Sequence, residues 1–413
     1  MSVGTPLGTP LDPPASPFPF EHARFRLDLA RPEDNVDICR LFREVHVAGE
    51  LEVNQERDPD FFALQRMHGC ATGAAVLGAA VLGAAVPGPG ARGDATTWLA
   101  RDPEGQAVAI GSVIVRDGWL DGARIRTGYL CDLRVRPGFR GGLALAACYP
   151  RVLAHIARVT GAEVFTTVIF DDNEVARKVL SGKGAERRGQ PVYRPMTPFD
   201  MTSVQFTRRR RAPARVVAAT EADRAEIGDF LARRGQERVL GEDFTGDLLD
   251  RRLADWPGFS LADFLLVREG GRLVGCCAPW DTRDVKRTRV VGYNGPMVWV
   301  RRAFDLGAFF LRYPPLPAPG ECFRFAFLTH LEVVDERADI LRDLVLAAYA
   351  RLYDRRLHFL SALVPRGSPL AGAFQGLTVQ RNAMTLYSVA LRGGPWAERS
   401  FEGRHSGFEM ALS

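Results

Sequence analysis

Apolar and polar positions along this 413-residue chain lay down one order of elements twice. In the first half, 97–101 and 107–115 are apolar, β-branched runs joined by Asp102-Pro103-Glu104-Gly105, a hairpin by its turn chemistry. Residues 122–130 lead into an apolar run, 129–135, whose end reads as a buried strand. Leu145, Tyr149, Val152, Leu153 and Ile156 then keep helical spacing. Pro150 kinks that helix unless the helix starts there. Residues 164–170 form a second buried strand. The second half opens with a strand and helix cap at 214–223 and a helix at 225–231. A hairpin follows over 264–281, turning at Gly270-Gly271, then a strand at 325–334. A helix at about 340–353 carries Leu341, Leu344, Val345, Ala348 and Leu352 on one face, before a strand at 358–364 and a short helix at 370–374. The pattern predicts a mixed α/β fold class, with antiparallel strands meeting a later parallel pair in each half.

Between Val135 and the first helix runs Arg136-Pro137-Gly138-Phe139-Arg140-Gly141-Gly142-Leu143-Ala144. A strand that turns through such residues into a helix N-terminus exposes main-chain N–H groups, and the helix dipole adds positive charge. The turn suits a phosphate; an ordinary glycine turn is the other reading. Downstream, Asp171-Asp172-Asn173-Glu174-Val175-Ala176 follows the 164–170 strand. Together the segments resemble the GNAT superfamily of acyl-CoA-dependent N-acyltransferases, over roughly residues 24–207. In that family a strand ends in V-x-P-x-x-R-G-x-G-x-G/A, which cradles the pyrophosphate of coenzyme A. A later N-x-x-A-x-x-x-Y-x-K-x-G helix flanks the pantetheine. Val135, Pro137, Arg140, Gly142, Ala144, Asn173, Ala176 and Gly184 fall on these patterns in order. Residues 26–34 and 38–42 look like the family's first strand and helix.

The resemblance implies two GNAT-like domains in tandem, each a mixed, splayed sheet flanked by helices, the C-terminal copy degenerate. It implies acetyl-CoA or another acyl-CoA as co-substrate, held by Leu133, Arg134, Val135, Arg140, Gly141, Gly142, Leu143, Ala144 and Asn173. The acyl group would pass by direct attack to a primary amine on a small molecule or peptide. Two departures bear on this. The loop is one residue short, and Leu180 stands where the family has a proton-donating tyrosine. A non-catalytic acyl-CoA-binding or interaction protein is the alternative. In the second half, Asp335-Glu336-Arg337-Ala338-Asp339 stands where the phosphate loop should be; its carboxylates repel a pyrophosphate, so no coenzyme A is expected there.

Domain boundaries are expected at 23–207 and 214–392, with a disordered tail at 1–22, a basic linker at 208–213 and a C-terminal tail at 393–413. The linker holds Arg208-Arg209-Arg210-Arg211. A near-repeat of Ala, Val, Leu and Gly within 69–93 reads as a low-complexity insertion, too short and too poor in large apolar residues to cross a bilayer. The net charge of +5 suits an anionic co-substrate and is too small to argue for nucleic acid. Seven cysteines without C-x-x-C spacing point to a reducing cytoplasm and no structural zinc. No stable membrane association or metal is expected.

Acyl transfer to an amine needs a polarised thioester carbonyl and an outlet for protons. Main-chain N–H groups near Val135 supply the first if a bulge splays the strand there. Asp132 is the nearest carboxylate for the second, or else a partner of Arg134 or Arg126. Tyr129 is a further proton relay. Asp171 and Asp172 greet an amine or simply form the turn. Cys131 reads as core filling, since direct attack needs no enzyme nucleophile.

Overall fold

The computed structural model describes residues 18–46, 49–68, 70–72, 93–140, 143–181, 189–311, 313–401 and 404–413. Most of the expected insertion, Gly141, Gly142 and Gly184 lie outside them. The first half contains β1 (Phe20–His22), β2 (Phe25–Leu29), α1 (Asn35–Glu44), β3 (Leu51–Glu56), α2 (Ala63–Met67), β4 (Cys70–Thr72), β5 (Gly93–Arg101), β6 (Ala107–Leu120) and β7 (Ala123–Val135). It continues through α3 (Leu143–Thr160), β8 (Val164–Phe170), α4 (Glu174–Ser181) and β9 (Val192–Gln205). The second half contains β10 (Val216–Ala218), α5 (Arg224–Glu237), β11 (Gly241–Glu242), α6 (Leu248–Asp255), β12 (Leu265–Glu269), β13 (Arg272–Asp281), β14 (Arg287–Tyr293) and α7 (Pro296–Leu311). It ends with β15 (Phe325–Val333), α8 (Ala338–Leu352), β16 (Phe359–Pro365) and β17 (Val379–Ala390).

The predicted hairpins are β5–β6 and β12–β13, and the two parallel pairs are β7–β8 and β15–β16. Helix α3 begins before Pro150 and runs through it. Its Leu153 and Ile156 are wholly buried against Val108, Val113 and Phe165. In α8 the apolar stripe Leu341, Leu344, Val345, Ala348 and Leu352 is buried on the second half of the sheet. Burying each such side chain contributes about 1.5–3 kcal/mol. The last residues of the expected N-terminal tail carry structure: Phe18 packs 4.1 Å from the Trp98 ring, and β1 pairs with β2.

One sheet runs through both halves in the order β1-β2-β5-β6-β7-β8-β17-β9-β16-β15-β13-β12-β10. Its centre is a strand exchange. The final strand of the first half, β9, pairs with β16 of the second, while β17 pairs with β8 of the first. β9 and β17 then pair with each other over Val192–Gln205 and Val379–Ala390. The halves therefore mirror one another about the β9–β17 seam. A second ladder, β3 with β14, also joins them.

The C-terminal segment belongs to this core. Phe401 and Ala411 are fully buried, and Leu412 nearly so. Its entry crosses β11 glycine to glycine: a Cβ on Gly407 would lie 2.5 Å from the Cα of Gly241. Gly407→Ala is thus expected to push the segment off its seat and lower the thermal unfolding midpoint, by the equivalent of about 1–3 kcal/mol; an unchanged midpoint in a thermal melt would refute the contact.

Candidate active site

The site is built where β7 parts from β8. Their pairing covers Thr127↔Val164 to Tyr129↔Thr166, and the Thr167 hydroxyl donates to the Leu130 carbonyl at 2.9 Å. On its other side β7 matches Ser112 to Cys131 and Ile110 to Arg134, so Asp132 and Leu133 face Gly111 as a bulge. Asp132 takes a φ of +57° to make it, a conformation that Asp tolerates better than most residues. The bulge breaks the regular strand alternation at Asp132.

The Asp132 charge favours the cationic form of nearby Arg134, but the guanidinium bonded to Asp132 is another one. Asp132 Oδ1 accepts from Arg57 Nη2 at 3.0 Å, with both side chains nearly buried. Arg126 instead pairs with Asp94 and Asp117. The Nε and Nη1 of Arg57 are buried without a protein partner. The pair shares its surroundings with Lys286, from the turn between β13 and β14. Lys286 is 5% exposed, and its Nζ donates to the carbonyls of Ser413 (2.8 Å) and Met410 (3.3 Å). Burial and the Arg57 guanidinium pull its ammonium well below the usual lysine range. Tyr129 is buried against the Phe408 ring, and burial raises its phenol well above the usual tyrosine range, so it stays protonated.

The phosphate turn is tighter than the sequence implied. A 3₁₀ turn, Pro137–Phe139, absorbs part of it: the amide of Phe139 donates to Arg136 and that of Arg140 to Pro137. The Arg136 amide donates to Val108. Three of the amides expected to face a phosphate are therefore spent within the turn or on β6, and Leu143 and Ala144, the first residues of α3, lie where a helix has no intrahelical acceptor for its N–H groups. Arg140 Nε bonds the Val135 carbonyl (3.1 Å) and Arg134 donates to the Leu133 carbonyl (3.1 Å) over the Phe42 ring. Asn173 caps α4, its Oδ1 accepting from the Ala176 amide at 3.0 Å. Asp171 is engaged by Arg366 and Thr385. Leu133 on one wall of the splay, and Val175 and Val179 on α4 beyond the other, are large apolar side chains more than half exposed.

The second half repeats the bulge residue for residue. β15 matches Ala278 to Thr329 and Cys276 to Glu332, and His330 between them has a φ of +50°. His330 therefore corresponds to Asp132, and the β15–β16 pairing ends at Phe327, the counterpart of Tyr129. Here, however, the bulge is taken: the His330 amide donates to Glu409 Oε2 at 3.0 Å, and Glu409 lies in the cleft with Phe408 and Met410. Burial and nearby Glu242 raise the Glu409 carboxyl. The turn after β15 binds its own charges, Arg337 to Asp339 and Glu269. Behind it, Glu242 holds buried Arg252 (2.6 Å) and Arg116 together. Burial works against its charge, yet the two guanidinium groups outweigh it and hold the carboxyl at about 2. His330 Nε2 faces Arg252 Nη1 at 3.1 Å and must accept there; burial and that cation keep the ring neutral.

The fold is shared by solved structures. Saccharomyces cerevisiae N-myristoyltransferase with bound myristoyl-CoA superimposes with a TM-score of 0.58 at 10% identity, covering 96% of this chain and 90% of that one. The chain has the GNAT fold. A second structure of the same yeast enzyme with myristoyl-CoA gives 0.57 at 10% identity over 93% and 83% of the two chains. A fungal GCN5-related glucosamine N-acetyltransferase region, in a multi-domain β-N-acetylglucosaminidase, gives 0.51 at 14% identity, covering 89% of this chain and 38% of that one. No family model matches the sequence, and no curated protein is significantly similar to it. Arg57, Lys286 and Glu409 are the residues that sequence reasoning missed. Lys286 left one trace: it is among only three lysines in an arginine-rich chain.

Proposed function

We propose that the protein is an acyl-CoA-dependent N-acyltransferase, an acetyltransferase in its simplest form, whose first half holds the acyl-CoA. The observation that carries this reading is the inequality of the two bulges. The one at His330 is filled by Glu409, whereas the one at Asp132 opens on a splay walled by exposed Leu133 and faced by Val175 and Val179. Main-chain N–H groups at the Asp132 bulge would polarise the thioester carbonyl, and the start of α3 would meet the pyrophosphate. The amine attacks that carbonyl, the C–N bond forms and the C–S bond breaks. Asp132 takes the ammonium proton, through water, and the departing thiolate recovers a proton from solvent or from the Tyr129 hydroxyl. Leu180 is half-buried on α4 and donates nothing. The acceptor is a primary amine on a small molecule or peptide.

Acetyl-CoA at a hundredfold its dissociation constant is expected to stabilise the protein by about 2.7 kcal/mol, read as a raised unfolding midpoint, and a panel of primary amines to release free thiol. Leu180 favours a second reading, a binder that does not turn over. Stabilisation without thiol release would establish that one, and neither response would reject both.

A further inference from the structure

Helix α7 is turned inside out. Trp299, Ala303, Leu306 and Phe310 follow one another at intervals of four, three and four residues, the seam spacing of a coiled coil. All four face solvent. Trp299 is 68% exposed, Leu306 62% and Phe310 70%, with Phe309 beside them at 79%. The opposite face fixes the helix in place: Ala308 is buried, Phe304 packs 5.0 Å from Tyr313, and Asp305 accepts from the Leu316 amide at 3.0 Å. The exposed stripe is therefore a stable surface and not a frayed end.

We propose that this face is an interface between two copies of the chain, formed by α7 packing antiparallel against α7 across a twofold axis between Ala303 and Leu306. Three features select a second copy. The seam is self-complementary: Trp299 meets Phe310 of the partner subunit, and small Ala303 meets Leu306 of the partner subunit. Its flanking charge fits as well. Arg302, now over the Trp299 ring at 4.9 Å, comes beside Phe309 of the partner subunit, and no carboxylate stands on the exposed stripe. The area is also sufficient. With about 150–250 Å² for each aromatic side chain, the face offers about 600 Å², the upper end for an unpartnered patch. Two copies bury about 1,200 Å², enough for a specific dimer.

Sedimentation of the full chain over micromolar concentrations tests this. The wild type should run at twice the chain mass, and Leu306→Glu/Phe310→Glu at the chain mass with an unchanged unfolding midpoint. Ala303→Glu, at an exposed position, should alone weaken the dimer about 30-fold or more. A wild type that stays monomeric overturns the proposal, as does a dimer that both variants leave intact. A monomer that co-sediments with phosphatidylserine vesicles through Leu306 and Phe310 also overturns it, since the face then serves a lipid surface.

Discussion

Asp132→Asn is expected to slow amine-dependent thiol release by about 10²–10⁴-fold, the usual worth of a positioned proton acceptor. Asparagine tolerates the left-handed backbone of the bulge, so the strand path and the exposed wall at Leu133 should survive. Acetyl-CoA should then stabilise the variant about as well as the wild type. The substitution also strips Arg57 of its carboxylate in a buried setting, which costs stability by itself. Arg57→Met added to Asp132→Asn separates the two effects: it should restore the unfolding midpoint and leave the rate low. A double variant that regains both would show Asp132 to be only the partner of Arg57.

Glu242→Ala should destabilise the fold most, by about 3–5 kcal/mol, because it leaves buried Arg252 without its carboxylate and takes the same partner from half-buried Arg116. The pH dependence has a definite sign. The Glu242 carboxyl is depressed from 4.5 to about 2, so its contribution is complete above pH 4.5 and fades as pH falls through 2. Denaturant melts of the wild type should lose roughly 3 kcal/mol across that window from this group, and the variant should lack that component. Equal acid sensitivity in the two proteins would remove Glu242 from the account.

Local pattern carried much of the fold. The hairpins and α8 rest on spacing between near neighbours, the parallel pairs on a strand–helix–strand order about 35 residues long, and each stands in the structure. The strand exchange does not have that character. β9 and β17 lie nearly 190 residues apart, and their partners are set by which edge remains open once β8 and β16 are placed. A bulge toward the end of the first-half strand was required by the chemistry of acyl transfer and not by any local pattern, and its counterpart at Thr329-His330-Leu331 was hidden, since both stretches have the composition of ordinary strand. Only the register opposite Gly111 and Cys277 shows the extra residue. Arg57 lies after a short strand that pairs with β14, far along the chain. Its role comes from tertiary placement, which no period in the sequence reports.

The order of strands has a consequence for synthesis. When a ribosome has delivered about the first half of the chain, β8 still lacks the neighbour that closes its edge, and β9 has neither of the two strands it pairs with. That nascent half carries open hydrogen-bonding rows, the template on which stray chains stack. The bottleneck to correct assembly is then the emergence of residues 359–390, and chains cut short before them should be clients of chaperones and proteases rather than stable half-molecules.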